Sequence, residues 1–309
     1  MKFIQDISFK TAPIMLAAWQ GMGNVGLITM DYLRRQLNAE SFAEIDMGPF
    51  VIPDSIVVMN GIAQLPEIPS STFYYSHDPD LIIFVSNGQV GGRDGITIIR
   101  TLLDIAQKFH VSRIFTSAAF AQPMSFQQES DVVIACNGRT LLNSLSVFQV
   151  TPMPSGYIAG LNGLLLGIAA SRKIEAACLL GTIPSYAVNI SYPKACVKIL
   201  NVFENVLRLD IDKSELANAG RDMDRQLETI EERIREFFPN IGEQQHAEFS
   251  DIKEDEVPQY IMDKIERMFA KVAQDHSKAG ELKDELVRWN LYDIYEKRFL
   301  DIFKRKNDT

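Results

Sequence analysis

Short apolar runs alternate with longer amphipathic stretches through the first two thirds of the chain. The runs are Ile14–Trp19, Phe42–Asp46, Ile56–Met59, Leu81–Ser86, Arg113–Ser117, Asp131–Ala135 and Glu175–Leu180. Several are almost continuously apolar, the pattern of strands covered on both faces, so they are predicted as buried strands. Helical spacing of apolar positions fills the gaps at Val25–Leu37, Ile96–Phe109, Thr140–Phe148, Ile158–Ser171 and Pro193–Leu207. Strands alternating with helices predict an α/β fold, a mainly parallel sheet with helices on both faces. One stretch interrupts the alternation. Phe50–Tyr75 has no helical period, and Asn60-Gly61 sits between Ile56–Met59 and Ile62–Leu65 as a hairpin-turn signature. An antiparallel insertion is therefore expected after the first strand–helix–strand unit, which makes the sheet mixed.

Beyond residue 212 the pattern changes. Residues 1–212 carry 14 basic and 17 acidic residues, whereas residues 213–309 carry 17 and 23. The expected organisation is an α/β domain over 1–212 and a charged helical region over 213–309. Ser214 is placed as an N-cap. Leu216, Met223, Leu227, Ile230, Ile234 and Phe237 recur at 3–4 spacing up to Pro239. That apolar seam must be buried against something, either the chain's own body or another subunit. Residues 240–258 are polar and acidic and are expected to form a loop or linker. Two further amphipathic helices are expected over 258–275 and 281–304, the last with an aromatic face that includes Trp289. Leu216, Met223, Leu227, Ile230, Ile234 and Trp289 are accordingly candidate subunit or partner contacts.

Composition narrows the function classes. Of the 309 residues, 46% are hydrophobic and 23% charged, the profile of a globular chain. The net charge of −9 speaks against nucleic acid or an anionic membrane as partner, since both require a basic face. The most apolar later stretch, Ile158–Ala170, is shorter than the ~20 residues a membrane span needs. The N-terminal segment has charges throughout and does not resemble a signal peptide. Cys136, Cys178 and Cys196 are odd in number and widely spaced, as expected of reduced thiols in a cytoplasmic protein.

The clearest motif is Gly21-Met22-Gly23-Asn24-Val25-Gly26, which follows a predicted strand and opens a predicted helix. It fits G-x-G-x-x-G, with Asp46 about 20 residues further on, as in a dinucleotide site. The hairpin region after the helix and the absence of a hydride-transfer partner favour a structural turn or a non-nucleotide pocket. Two more loops follow strands, Asn87–Gly95 and Gly181–Tyr186. If the strands are parallel, all three loops share the sheet's carboxyl edge, where open α/β sheets place ligands. Gly21, Gly23, Asn24, Gly26, Asn87, Arg93, Asn162 and Thr182 are the candidate pocket residues there. Asn162 opens a very apolar helix and either caps it or faces a ligand. Catalytic constellations are missing: there is no GxSxG elbow, no P-loop lysine, and no metal-ligand spacing among His77, His110, His246 and His276. No metal and no cofactor is expected, and catalysis is disfavoured without being excluded.

The glycine turn, Leu65-Pro66-Glu67-Ile68 in the hairpin region, Ile158-Ala159-Gly160-Leu161-Asn162-Gly163-Leu164-Leu165, and Cys178-Leu179-Leu180-Gly181-Thr182-Ile183-Pro184 resemble the proteasome assembly chaperone family. Order and spacing agree over about residues 10–215. The resemblance implies a three-layer α/β/α sandwich similar to nucleoside phosphorylases. It implies homo-oligomers, trimers or larger, and for some members assistance to the proteasome α-ring. Some members also carry a carboxylate–amine ligase label with ATP-grasp overtones, although no phosphate-gripping lysine or paired magnesium carboxylates stand out here. Some docking members end in a hydrophobic–Tyr–X tail, whereas this sequence ends Lys306-Asn307-Asp308-Thr309. The expectation is a cytoplasmic, non-catalytic, homo-oligomeric scaffold or chaperone, with proteasome α subunits as candidate partners. The alternative is a nucleotide or nucleoside-like ligand, or a ligase, at the carboxyl edge, and a dinucleotide-dependent oxidoreductase ranks last.

Overall fold

The computed structural model describes residues 1–51, 53, 55–237, 265, 267–269, 271–272, 278–288, 291 and 295; of residues 229–237, 284 and 287–288 only the backbone is described. The chain divides into two compact units, Met1–His246 and Ala247–Thr309.

The strands of the first unit are β1 (Lys2–Phe3), β2 (Ile14–Trp19), β3 (Glu40–Glu44), β4 (Val57–Met59), β5 (Ile62–Gln64), β6 (Ser71–His77), β7 (Asp80–Ser86), β8 (Arg113–Gln122), β9 (Val132–Cys136), β10 (Thr151–Pro152) and β11 (Ala176–Pro184). Its helices are α1 (Val25–Gln36), α2 (Gly92–Lys108), α3 (Arg139–Leu145), α4 (Gly160–Ser171), α5 (Pro193–Leu207) and α6 (Ser214–Phe237). Among the described residues, nine strands form one sheet in the order β1-β3-β6-β7-β2-β8-β11-β9-β10, and β4-β5 stands apart as a two-stranded ribbon. At the centre, β7, β2, β8 and β11 are parallel. Antiparallel pairings flank them: β1, β3 and β6 on one side, and β9 on the other. The sheet is thus mixed, with four adjacent parallel strands at its middle and one further parallel pair, β9 and β10, at its edge. The strand β6, inside the segment expected only to be an insertion, joins β3 to β7.

Alternation along β2 sends its side chains into two cores. Leu16 and Ala18 join the core that α1, α3, α5 and α6 share on one face, whereas Met15, Ala17 and Trp19 join the core that α2 and α4 share on the other. This is the three-layer α/β/α sandwich. Each helix adds a stripe at 3–4 spacing, such as Ile98, Leu102 and Ile105 of α2 and Cys196, Ile199 and Phe203 of α5. Pro193 opens α5 at a position where its missing N–H costs nothing. Central strands are buried on both faces; all nine residues of β11 are buried.

Three expectations need correction. Ile56–Met59, predicted as a buried strand, is exposed throughout, because the ribbon lies outside the sheet and, among the described residues, no helix covers it. Ser214 is the first helical residue and not the cap; its N–H donates to Asp212 Oδ1 at 2.9 Å. Leu216, Met223 and Leu227, expected at a subunit or partner contact, are buried in the chain's own core, where α6 packs on α5. An apolar seam on a charged helix takes the nearest apolar surface, and here that is the outer stripe of α5. The side chains of Ile230 and Ile234, and all of Trp289, lie outside the described residues. So do Pro239, the expected 240–258 linker and most of the expected last helix.

In the second unit, α7 (Ala279–Arg288) contributes Leu282 and Leu286 to a small core with Ile265, Phe269, Val272, Leu291 and Tyr295. The Phe269 and Tyr295 rings lie 5.7 Å apart. Among the described residues, no helix is long and apolar enough to cross a membrane.

Candidate functional site

The parallel strands β2, β7, β8 and β11 end on one edge of the sheet, and the glycine turn leaves β2 there. Its conformation follows from close packing. Gly23 has φ +58°, which favours glycine, and Asn24 follows at φ +49°, where Asn is tolerated better than most residues. The Gly23 N–H donates to the Val188 carbonyl at 2.7 Å, and the Gly23 carbonyl accepts from Tyr192 N–H at 3.0 Å. The turn is thereby stitched to the segment before α5. The Gly23 N–H, one donor that a pyrophosphate at this turn would seek, is already engaged by the chain itself. Gly26 lies over β8 so closely that a Cβ would sit 2.1 Å from the Ser117 carbonyl oxygen. The glycine there allows helix-on-sheet contact.

Asn162 is 4% exposed and bridges to the end of β2. Its Oδ1 accepts from Trp19 N–H at 3.1 Å and its Nδ2 donates to the Trp19 carbonyl at 3.3 Å. Thr116 Oγ1 donates to the Asn162 carbonyl at 2.8 Å. The side chain therefore neither caps its own helix nor opens onto a crevice; it fastens α4 to the central strand. Gly21 is beside it, a Cβ there falling 4.0 Å from Asn162 Nδ2. With its amide oriented to satisfy both neighbours, Gln89 donates to the Gln20 carbonyl at 2.8 Å and accepts from Leu161 N–H at 3.1 Å. The first turn of α4 is thus occupied from within.

The remaining candidates are spread out. Asn87 Oδ1 accepts from Ser70 N–H at 2.7 Å, tying the end of β7 to the strand before it. Thr182 is buried, and its Oγ1 accepts from Asp131 N–H at 2.7 Å. Arg93 is exposed in the first turn of α2. The structure brings Gly21, Gly23, Gly26 and Asn162 together at the end of β2, and assigns Asn87 and Thr182 to separate braces. Among the described residues, no group of three His, Cys, Asp or Glu side chains converges as a metal site would require. Burial pushes the thiols of Cys178 and Cys196 up to about 12 and that of half-buried Cys136 up to about 11. All three are poor nucleophiles at neutral pH.

Two features escaped the sequence reading. A cleft of about 370 Å³ lies between α5, α6 and the β8–β9 loop, lined by Gln128, Ser130, Lys194, Lys198, Gly220 and Asp224 among others. Lys194 pairs with Asp224 at 2.6 Å and donates to the Phe126 carbonyl at 2.8 Å, so its charge is already compensated. Lys198 pairs with Glu129 at 2.6 Å and holds that carboxyl below its usual range. No sequence spacing foretells this cleft, since its lining comes from three distant segments. The second feature is the exposure of the β4–β5 ribbon, a hairpin expected from Asn60-Gly61 but not expected to turn its large aliphatic side chains to solvent. Its signal was present as twelve consecutive uncharged residues, Ser55–Pro66.

Comparison with known proteins matches this architecture. Uncharacterized protein MJ1210 of Methanocaldococcus jannaschii is 23% identical over 230 residues, which is 74% of this chain and 86% of that protein. The crystal structure of Pyrococcus furiosus PbaB, an archaeal proteasome activator, is similar with a TM-score of 0.64 and 25% identity, covering 74% of this chain and 96% of PbaB. PbaA of the same organism, an archaeal homolog of proteasome-assembly chaperone, has the same fold with a TM-score of 0.60 and 19% identity, over 76% of this chain and 93% of PbaA. The carboxylate–amine ligase label finds no support in these matches or in a glycine turn bound to its own chain. The family model that does match spans β2 to α6, residues 15–231, taking in both the glycine turn and the Asn162 brace, and the chain belongs to the PAC2 family.

Proposed function

We propose that this chain is a non-catalytic, homo-oligomeric protein-binding scaffold or chaperone for proteasome-related proteins, with proteasome α subunits as the first candidate client. The observation that supports it most directly is the family match over 15–231, together with the 25% identity to a proteasome activator across almost all of that activator's length. Much of the carboxyl edge fits the same reading: Asn87, Asn162 and Thr182 bond the chain's own backbone there. Binding would rest on apolar area buried at subunit and client contacts, with the polar rim supplying selectivity. The action is to shield an assembly intermediate's apolar surface until the correct partner displaces the scaffold. We place it in the cytoplasm as an oligomer of three or more copies; the free state of Cys136, Cys178 and Cys196 agrees with a reducing compartment.

The test is co-purification of the full chain with the proteasome α subunits of the same organism, followed by sizing at micromolar concentration. A complex of defined mass is expected. Absence of any complex removes the chaperone role and leaves an oligomer with a different client.

A further inference from the structure

Among the described residues of the first unit, the β4–β5 hairpin is the two-stranded ribbon that stands apart from the main sheet. Its strands pair Val57 with Gln64, Val58 with Ala63 and Met59 with Ile62 around the Asn60-Gly61 turn. Strand pleating puts Val58 and Ala63 on one face and Val57, Met59, Ile62 and Gln64 on the other. One face is wholly apolar, and the other carries a single polar side chain. Ile56, Val57, Val58, Met59, Ile62 and Leu65 are between 45% and 76% exposed. A patch of such side chains reaches the few hundred Å² at which an apolar surface signals an interaction site. An isolated two-stranded ribbon is also marginal in water by itself. Its base, by contrast, is fixed. Ser70 and Asn87 exchange hydrogen bonds at the foot of the arm, and Pro69 packs against Gly88 so closely that a Cβ there would fall 2.4 Å away.

We propose that this hairpin is the arm through which two copies of the chain bind each other, ribbon against ribbon. The inference rests on the homo-oligomer reading above and names the surface that makes it. Three observations favour a second copy as the occupant. First, the arm is self-complementary: mostly apolar faces and two open strand edges are what the same ribbon on another copy can cover. Second, the chain carries a net charge of −9, so copies repel at long range, and Ser55–Pro66 is a neutral stretch on which two of them can meet. A basic or acidic partner would call for charges on the arm, and there are none. Third, a second arm of the same make offers the matching exposed aliphatic side chains, Ile56, Val57, Val58, Met59, Ile62 and Leu65, none of which the single chain buries.

The experiment uses the full-length chain. Light scattering across a micromolar dilution series gives the mass of the unaltered protein and of a Val58→Lys/Ile62→Lys variant. Both side chains face solvent, so far-UV circular dichroism should show the fold retained. A second measurement follows maleimide labelling of an Ala63→Cys variant, whose new thiol stands on the arm while burial keeps the native thiols slow. The expected result is an oligomer whose dissociation constant weakens at least about 30-fold in the lysine variant, the scale of losing one central contact. Labelling of Ala63→Cys should slow as concentration rises, and should stop doing so when the two lysines are added. An oligomer of unchanged mass in the lysine variant, with labelling indifferent to concentration, overturns the arm and leaves the homo-oligomer reading standing on another surface. An unaltered protein that stays at its monomer mass of 34.8 kDa overturns both.

Discussion

Strand β2 and the β4–β5 ribbon are written in nearly the same alphabet. β2 reads Ile-Met-Leu-Ala-Ala-Trp, and the ribbon reads Val-Val-Met, a turn, then Ile-Ala-Gln. One is buried in the middle of a nine-stranded sheet, and the other is exposed at every position. The difference does not lie in the residues' hydrophobicity. It lies in what surrounds them along the chain. β2 is followed by a glycine turn and a helix that folds back over it, and β7 and β8 supply both of its neighbours. The ribbon is flanked by loops and by Pro53, Pro66 and Pro69, and among the described residues no helix covers either face. Apolar sequence creates a demand for burial, and topology decides whether the chain itself or a partner meets it.

The contrast is sharpest where a core side chain is cut back. Leu16, fully buried between the sheet and α1, should cost about 2–5 kcal/mol when changed to Ala, from lost transfer energy plus the cavity left behind. Urea unfolding of the variant checks it. A loss below ~1 kcal/mol would mean that the layer between sheet and α1 is loosely packed and that β2 differs from the ribbon less than its burial indicates.

The same contrast marks where sequence stops being informative. The alternation of strands and helices, with helices on both faces of the sheet, and the glycine turn were legible, because periods of 2 and 3.6 and turn chemistry are local properties, whereas strand β6 was not. The purpose of the turn was not. A glycine permits close approach of phosphate and of backbone alike, and at Gly26 the approaching group is the Ser117 carbonyl, 91 positions away. Asn162 could be singled out as a polar residue in an apolar helix, but its partner Trp19 is 143 positions distant. The α6 seam was correctly read as needing burial, whereas the choice of α5 as its cover depended on the fold. In the ribbon, the uncharged run hid in plain view, since a buried strand shows the same run.

Asn162 tests how the central strand is held at its carboxyl end. Asn162→Leu keeps the volume and removes both bonds to Trp19, leaving one N–H and one carbonyl unpaired in the interior. At roughly 1–3 kcal/mol for each buried group left without a partner, reduced by any relaxation, a loss of about 2–3 kcal/mol is expected. Hydrogen exchange at the Trp19 amide should accelerate more than that at β8 amides. An unchanged exchange rate would show that the end of β2 is secured by strand pairing alone and that Asn162 is free to serve another purpose.

The smallest effect is expected on the ribbon, and its smallness is what gives it value. Val58→Ala removes about as much apolar surface as many core truncations, yet the side chain is already 60% exposed and meets no helix. In the dissociated monomer the substitution should change unfolding free energy by less than ~0.5 kcal/mol, as at an ordinary surface position. Under conditions that favour association, the outcome should differ. Anything that binds only the folded state raises apparent stability with its concentration, and a second copy is such a ligand. The unaltered chain should therefore unfold at a higher midpoint as protein concentration rises, and Val58→Ala should flatten that slope while leaving its dilute limit in place. Leu16→Ala should do the reverse, lowering the dilute limit and keeping the slope. If both substitutions lowered the dilute limit equally, the ribbon would be part of the fold's own core and its exposure would carry no functional meaning.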